Sequence, residues 1–246
     1  AKKISVNTVL GFSIVEFEGN ATSGATIAHG LGGDADMVIV KSTNLGQAWN
    51  VYIKDVTDAD SKYLRLNTTD TIASLSTSNY RFIVNNFSST VFSVGSDNAV
   101  NGNGDDYITY CFKSTTGFSK VGSYTGNGSA SGPIVETGFQ PAFILIKNTS
   151  VAENWELFDD KRSVTNPRDD VIFANLNYAE YTNQSQKKIN FLDNGFQIVG
   201  NDGSVNGNGN VLIYIAFAAD PSTTTPSLAN SFDTELFTPT TSSRPL

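Results

Sequence analysis

Three pairs of adjacent carboxylates are the side chains in this sequence best suited to acid–base chemistry. The pairs are Asp105 with Asp106, Asp159 with Asp160, and Asp169 with Asp170. Glycoside hydrolysis uses two carboxyl groups about 5–10 Å apart. Neighbouring residues on a strand point to opposite faces, so adjacency favours solvated loop carboxylates over an active site. A glycan-degrading enzyme therefore ranks third among the functional hypotheses.

A second chemical candidate is the motif Val-Asn-Gly-Asn-Gly, found at residues 100–104 and again at 205–209. Carboxylates and amides at alternating positions near the first motif resemble the oxygen ligands of Ca²⁺. The weak candidate ligands are Asp97, Asp105 and Asp106. The second motif has little carboxylate nearby, and Asn-Gly favours tight hairpin turns with positive φ. We therefore predict turns at both motifs and no metal ion.

The single histidine, His29, and the single cysteine, Cys111, offer little further chemistry. A histidine-based triad or a multi-histidine metal site would rest on one residue that the rest of the chain does not repeat. One cysteine excludes an intramolecular disulfide, which suits a reducing cytoplasm, and we expect Cys111 to be a packing residue. We predict no catalytic residue and no cofactor.

Composition favours strands and turns, because only 16% of the residues are charged. The net charge of −8 opposes nucleic-acid binding, which depends on Lys and Arg. No apolar run approaches the ~20 residues that span a bilayer, so we expect no membrane insertion. Ser5 and Asn7 interrupt the apolar stretch after Lys3, so we expect no signal peptide and synthesis in the host cytoplasm.

The chain repeats itself over about a hundred residues. Residues 37–52 match residues 143–158, which pairs Trp49 with Trp155 at an offset of 155 − 49 = 106. Repetition at a fixed period indicates a duplicated structural unit. We divide the chain into an N-terminal arm (1–10), segment 1 (11–116), segment 2 (117–220) and a C-terminal tail (221–246).

The tail holds four of the seven prolines and is expected to be extended or ordered by a partner. Its large apolar residues Phe232, Leu236 and Phe237 are the predicted assembly contacts.

Short β-rich runs separated by turn residues predict an all-β fold. The fold class is two tandem antiparallel β-sandwich repeats of about 105 residues each, or one fused pseudo-twofold sandwich. The strands predicted in segment 1 are Ser13–Glu18, Thr26–His29, Met37–Lys41, Trp49–Lys54, Tyr63–Asn67, Tyr80–Val84, Thr90–Val94 and Tyr107–Lys113. The last of these alternates, and its Ile108, Tyr110 and Phe112 are predicted to face the core.

Aromatic residues divide into repeated and unrepeated ones. Trp49 and Trp155 occupy the same place in both segments, which favours core packing over a sugar-binding role. The unrepeated Tyr124, Tyr178 and Tyr181 are the predicted binding residues. Such side chains would suit a module that binds a host glycan or another receptor.

Several motifs together resemble a known repeat domain. They are Gly-Phe-Ser at residue 117, Thr-Gly-Phe-Gln-Pro-Ala-Phe at residue 137, Asn-Trp at residue 154, and Val-Asn-Gly-Asn-Gly ahead of Ala-Phe-Ala. This pattern is similar to an uncharacterised repeat domain of marine tailed-phage virion proteins, found in tail-fibre-like and other structural proteins. The resemblance implies a location in the virion and no particular site residue.

The leading hypothesis is a non-enzymatic structural protein of a tailed-phage virion, displayed as a compact head-decoration, tail or baseplate component. Its expected partners are other virion proteins and copies of itself. A host-glycan or receptor-binding adhesin module is the alternative.

Overall fold

The computed structural model describes residues 1–57, 59–75 and 80–219. Its strands pair antiparallel, which confirms the all-β class predicted from the sequence. The arm and segment 1 contain β1 (Lys3–Asn7), β2 (Phe12–Glu18), β3 (Ala25–Ala28), β4 (Met37–Ser42), β5 (Asn50–Ile53), β6 (Lys62–Arg65), β7 (Ala73–Ser74), β8 (Val91–Val94) and β9 (Asp106–Phe112). Segment 2 contains β10 (Ser119–Thr125), β11 (Ile134–Glu136), β12 (Pro141–Asn148), β13 (Trp155–Asp159), β14 (Ile172–Phe173), β15 (Ile189–Leu192), β16 (Gly195–Ile198) and β17 (Val211–Ala218). Two one-turn helices are α1 (Asn98–Asn101) and α2 (Gly203–Asn206).

Each segment has one large sheet, and the strands of the two sheets follow the same order. The first sheet runs β1-β2-β9-β4-β5-β6-β7, and the second runs β10-β17-β12-β13-β14. Strand β2 therefore corresponds to β10, and β9 corresponds to β17. The arm supplies β1, which extends the first sheet by pairing Lys3 with Glu16 on β2.

A smaller sheet covers one face of each large sheet, β3-β8 in segment 1 and β11-β16-β15 in segment 2. Phe17 and Tyr107 stack in the first core at a centroid distance of 5.1 Å. Phe196 and Tyr214 meet edge to face in the second core, also at 5.1 Å. Each segment is thus a β-sandwich with its own aromatic core.

The other faces of the two large sheets pack against each other and form a third core, here called the shared core. Its buried members are Met37, Ile39, Val51, Ile53, Leu64, Val121, Trp155, Ile213 and Ile215. The sequence left open whether the segments form two sandwiches or one fused unit. The structure has two sandwiches that are joined through the shared core.

Both repeated tryptophans pack in the shared core, which confirms that prediction, but they are not equivalent. Trp155 is 1% exposed, and its Nε1 donates a hydrogen bond of 2.9 Å to the carbonyl oxygen of Arg65 in segment 1. Trp49 is half-buried and stacks on Tyr110 at 6.2 Å. Only Trp155 therefore combines full burial with this contact across the segment boundary.

Lys147 makes a second contact across the boundary. Its side chain is fully buried, and its Nζ donates to the carbonyl oxygens of Thr69 at 3.0 Å and Glu153 at 2.6 Å. The corresponding Lys41 donates to Ser42 and to a second carbonyl of its own segment. The two segments therefore differ in how they hold each other.

Strand β9 alternates as predicted, but its fully buried face is the opposite one. Tyr107 and Cys111 are 0% exposed and lie in the segment 1 core. Tyr110 and Phe112, which share the face of Ile108, are half-buried against the shared core. Both faces of this strand are covered, so the face predicted to point into the core is also packed, but it is less buried than the other face. Cys111 is a packing residue, as predicted.

The first part of each Val-Asn-Gly-Asn-Gly motif overlaps the end of a short helix that was not predicted. The second Asn-Gly of each motif forms the predicted turn, which is closed by a hydrogen bond from the N–H of Asp105 to the Gly102 carbonyl oxygen and from that of Asn210 to the Gly207 carbonyl oxygen. Asp97 caps α1 and Asp202 caps α2, each by accepting a hydrogen bond from a backbone N–H of its own helix. A turn then follows, with φ of +76° at Gly104 and +73° at Gly209. The positive φ expected of these glycines is confirmed.

The strand predicted at residues 80–84 does not form among the described residues. Phe82 makes an isolated bridge to Val94, and a 3₁₀ helix follows at Val84–Asn86. Phe82 is fully buried in the segment 1 core. The apolar pattern of this stretch therefore reflects burial without strand pairing.

Candidate functional site

Two exposed tyrosines of segment 2 stack with nearly parallel rings. Tyr178 is 59% exposed and Tyr181 is 41% exposed. Their ring centroids are 6.4 Å apart, and the ring planes differ by 16°. This solvent-exposed pair of stacked rings is here called the tyrosine platform. It contains two of the three tyrosines predicted to bind a ligand.

The core of segment 2 fixes the position of the platform. Phe173 is 8% exposed and meets the Tyr181 ring edge to face at 5.0 Å. The backbone groups of Tyr181 and Val171 exchange hydrogen bonds of 2.8 and 2.9 Å. Asn183 has φ of +53°, and its N–H donates to the Asp170 carboxylate at 3.0 Å. Packing and backbone pairing therefore hold the Tyr181 ring in place.

A charged network includes Glu180, the residue immediately before Tyr181. Glu180 accepts a hydrogen bond of 2.6 Å from Nη1 of Arg162, whose Nε donates to Asp159, also at 2.6 Å. Burial acts to raise the pKa of Asp159, but the hydrogen bonds from Arg162 hold that pKa below its usual value. Asp159 is therefore ionised at neutral pH. Fixed donors and acceptors thus lie close to an apolar aromatic surface.

This combination suits a ligand with one apolar face and several hydroxyl groups. Tyrosine rings offer a large rigid contact area with a polar tip. The C–H face of a hexose ring stacks on such a surface while its hydroxyls reach neighbouring polar groups. The geometry therefore fits a carbohydrate ring better than a purely apolar molecule.

Tyr124 does not belong to the platform, and its prediction as an exposed binding residue is wrong. It is 8% exposed in the segment 2 core, and its hydroxyl donates to the Val205 carbonyl oxygen at 2.7 Å. Gly19 and Gly126 give an offset of 126 − 19 = 107 for this stretch, which places Tyr124 on Phe17. Phe17 is also a core aromatic, 3% exposed. This offset is one residue larger than the offset of 106 found for the tryptophans, so the sequence comparison did not align Tyr124 with Phe17.

The carboxylates predicted as weak calcium ligands make three separate contacts. Asp97 caps α1 and forms an ion pair with Arg81. Asp105 accepts from Nδ2 of Asn44 at 3.2 Å, and Asp106 pairs with a lysine of the arm at 2.7 Å. Among the described residues, no group of three or more His, Cys, Asp or Glu side chains could hold a metal ion.

The acidic pairs of segment 2 take part in loop contacts. Asp159 binds Arg162, as described above. Asp169 accepts from a serine hydroxyl at 3.2 Å, and Asp170 accepts from the backbone of Asn183. Asp169 and Asp170 lie in a loop, as interpreted, whereas Asp159 is the last residue of β13.

His29 and Cys111 are both buried. The N–H of Leu31 donates to Nδ1 of His29 at 3.2 Å, so Nε2 carries the proton and faces the Ser88 carbonyl oxygen at 3.3 Å. Burial lowers the pKa of His29 and raises that of Cys111 to about 12. At neutral pH His29 is uncharged and Cys111 is a thiol, so neither is poised for acid–base or nucleophilic chemistry.

A partly buried cation that the sequence pattern did not indicate, Arg81, links a strand to α1 in segment 1. Nε of Arg81 donates to Oδ1 of Asn50 at 3.1 Å, and Arg81 also pairs with Asp97. Asn50 is 0% exposed. This arrangement ties the cap of α1 to the large sheet.

Segment 2 repeats this arrangement with different residue types. Lys187 contacts the Glu156 carboxylate at 2.5 Å and the Asp202 carboxylate at 3.2 Å. Glu156 is 0% exposed, and burial raises its pKa although Lys187 opposes the shift. The offset from Arg81 is 187 − 81 = 106, the same as for the tryptophans. The constant offset could have revealed this correspondence. The residue types differ, however, because Arg81 corresponds to Lys187 and Asn50 corresponds to Glu156.

A groove of about 510 Å³ opens between the segments. Val56 and Ile72 of segment 1 and Ser123, Thr149 and Val211 of segment 2 are among its lining residues. Asp55 and Lys62 also line the segment 1 wall, and Tyr124, which is 8% exposed, lies in the segment 2 wall. Among the described residues, the groove therefore has one mostly buried aromatic ring and no exposed ring pair like that of Tyr178 and Tyr181.

The predicted assembly contacts Phe232, Leu236 and Phe237 lie outside the described residues. Among the described residues, no helix has the length and apolar character needed to cross a membrane.

A family model described as a domain of unknown function, DUF7483, matches residues 1–221. The match includes the arm and both segments and reaches the first residue of the tail. No curated protein and no solved structure matches the chain.

Proposed function

We propose that this chain, which belongs to the DUF7483 family, is a non-enzymatic structural protein of a tailed-phage particle. In this proposal the two sandwiches joined through the shared core form a compact part of the particle surface, as a head-decoration, tail or baseplate component. Other virion proteins and further copies of the chain are its partners.

The shared core is the observation that best supports a structural role. Two domains that are connected only by a linker move relative to each other. Here nine buried apolar residues from both segments pack together, and Trp155 and Lys147 add hydrogen bonds across the boundary. A body of this kind presents the same surface at every position of a symmetric assembly.

The residues that repeat between the segments also favour architecture. Trp155 packs in the shared core, and Asn206 of the second Val-Asn-Gly-Asn-Gly motif is fully buried. Its Nδ2 donates to the carbonyl oxygens of Ser129 at 2.7 Å and Gly200 at 2.9 Å. The motifs that resemble phage virion proteins therefore hold loops and sheets together. The net charge of −8 favours solubility of many copies before assembly.

Quantitative mass spectrometry of gradient-purified phage particles tests this proposal. We expect the chain at a fixed copy number per particle, retained through repeated purification. Loss of the chain during purification, while known structural proteins keep their ratio, would contradict the proposal.

A second candidate function is binding of a host glycan through the tyrosine platform. The observation that favours it is the exposed, nearly parallel ring pair of Tyr178 and Tyr181 beside the Arg162–Glu180 ion pair. This function is compatible with a structural role, because a surface component can also contact the host.

A glycan array probed with the full chain tests the second candidate. We expect Tyr178→Ala to weaken binding at least about tenfold, which corresponds to about 1.4 kcal/mol. Tyr181→Phe should retain binding, because the stacked ring remains. Val164→Ala is the matched control, since Val164 is 71% exposed and lies outside the platform. Equal binding by Tyr178→Ala and the control would refute the platform as the site.

A further inference from the structure

The edges of the two large sheets differ in how they are protected. One edge of each sheet is a strand of only two residues, β7 in segment 1 and β14 in segment 2. At the other edge of the segment 2 sheet, the N–H groups of Ser119 and Val121 in β10 donate to Thr115 and Ser114 of the preceding loop. Very short strands and covering segments are devices that keep a sheet edge from pairing with another chain.

Strand β1, at the other edge of the segment 1 sheet, has neither protection. Its five residues are exposed, include no proline and pair with β2 in continuous register. Among the described residues, no second strand pairs with β1. Lys2 and Lys3 direct their charges toward carboxylates of β2 and β9. The outer side of β1 is therefore open to another strand.

The unpaired backbone groups of β1 belong to two of its residues. The N–H of Lys113 donates to the Gly11 carbonyl oxygen at 2.7 Å, so the odd-numbered residues of β2 bond to β9. The even-numbered residues of β2 then bond to β1, where their partners are its odd-numbered residues. The N–H and C=O groups of Ile4 and Val6 consequently face away from the sheet.

The side chains of the same two residues form an exposed apolar surface. Ile4 and Val6 are 46% and 44% exposed, and Val9 in the following turn is 62% exposed. A methyl group on Gly30 would lie 3.0 Å from Cδ1 of Ile4 and 3.5 Å from Cγ2 of Val6, so both side chains border the segment 1 sandwich. Exposed apolar side chains that cluster in this way mark an interaction surface.

The sequence of β1 is complementary to itself. Two antiparallel copies that bond through Ile4 and Val6 place Ile4 of one copy opposite Val6 of the other, on both sides of a central Ser5 pair. Each pair of Ile4 and Val6 exchanges two backbone hydrogen bonds and joins two aliphatic side chains. Lys3 falls opposite Asn7, so no like charges meet. We propose that β1 pairs antiparallel with β1 of a second copy of this chain, about a twofold axis at Ser5.

A second copy fits this edge because one surface then serves both partners, as a twofold contact requires. The two segment 1 sheets would continue into each other across the axis. The inference rests on the part of the proposed function in which copies of the chain are partners. Its failure is distinguishable from failure of that function, because its tests use the purified chain and no phage particles.

Cysteine substitution at the axis tests the register in the purified full chain. The two Ser5 residues would form a non-hydrogen-bonded pair with Cα atoms about 4.5 Å apart, which a disulfide spans. Lys3→Cys is the matched control, because the two Lys3 residues would be displaced by about 13 Å along the strands. We expect Ser5→Cys to form a disulfide-linked dimer at least about tenfold faster than the control on mild oxidation. Equal rates would overturn the proposal.

Sedimentation velocity over a concentration series measures the association itself. The wild type should change from monomer to dimer as its concentration rises. Ile4→Lys combined with Val6→Lys should stay monomeric, because like charges would lie opposite each other. The control of equal charge is Val151→Lys combined with Val164→Lys, at side chains that are 40% and 71% exposed outside the arm, and it should dimerise like the wild type. A monomeric wild type, or a lysine variant of β1 that dimerises like the control, would overturn the proposal.

An opposite-charge variant distinguishes lost pairing from damage to the fold. Ile4→Glu combined with Val6→Glu should also be monomeric alone. An equimolar mixture of this variant with the lysine variant of β1 should form a heterodimer, more strongly at low salt than at high salt. A mixture that stays monomeric at concentrations where the wild type dimerises would contradict antiparallel pairing through these two residues.

Discussion

The indole Nε1 of Trp155 donates a hydrogen bond of 2.9 Å to the carbonyl oxygen of Arg65 and so links the large sheets of the two segments. Trp155 is a member of the shared core and is 1% exposed. Its counterpart Trp49 is only half-buried. The same residue type at the same offset thus contributes unequally to the union of the two sandwiches.

Trp155→Phe should lower the free energy of unfolding by about 2–4 kcal/mol, because it removes buried area and a buried hydrogen bond. Trp49→Phe should cost less, since part of that ring already contacts water. Urea denaturation of the three proteins, followed by circular dichroism, measures the difference. Equal losses for the two variants would show that the contact with Arg65 is unimportant.

Lys147 should make stability depend on pH in the alkaline range. Burial lowers its pKa from 10.5 to about 8. Between these values the unfolded chain keeps a proton that the folded chain has lost, so the stability contributed by this group rises with pH and is lowest below pH 8. The rise should reach up to about 3 kcal/mol.

Lys147→Met isolates this effect, because it keeps most of the side-chain length and removes the titrating group. The free energy of unfolding of the wild type should rise relative to the variant as the pH increases from 8 to 10. Urea denaturation at three pH values measures this change. A constant difference would mean that Lys147 keeps an ordinary pKa.

Cys111 should resist thiol reagents in the folded protein. Its side chain is 0% exposed, and burial raises its pKa to about 12, so almost no thiolate exists at pH 8. Reaction with an aromatic disulfide reagent should become fast only in denaturant. Cys111→Ala should cost about 1–2 kcal/mol, because segment 2 has Ala216 at the corresponding place and the cavity is small. Rapid labelling under native conditions would contradict the assigned burial.

Asn206→Ala should destabilise the chain by about 2–4 kcal/mol, because it leaves several buried backbone groups without a partner. Asn206 donates to Gly200 and Ser129, and its Oδ1 accepts from the N–H of Asn127 at 2.8 Å. Asn208→Ala is the matched control, since Asn208 is exposed in the same motif. Thermal unfolding by calorimetry compares them. Similar melting temperatures would show that the motif only forms a turn.

Periodicity and repetition in the sequence were sufficient to predict the all-β class and the core position of both tryptophans. They did not reveal α1 and α2, because a four-residue helix has too few residues to show a helical period. They also did not reveal which face of β9 is fully buried. That strand is covered by its own sandwich on one side and by the shared core on the other, and alternation alone cannot rank two covered faces.

The candidate site was predicted in part. Tyr178 and Tyr181 lie together on the surface, whereas Tyr124 occupies the place of Phe17 in the core. A side chain that differs between two copies can still perform the same packing role, so difference alone does not indicate a surface position. The partly buried cations Arg81 and Lys187 show the same point for polar residues, since these unlike side chains make equivalent contacts.

Electron cryomicroscopy of purified phage particles that encode this chain tests the central claim most directly. We expect density for two joined sandwiches, with two large sheets packed face to face, at symmetry-related positions on the particle surface. Particles that are complete and infective but have no such density, and no copies of the chain, would contradict it.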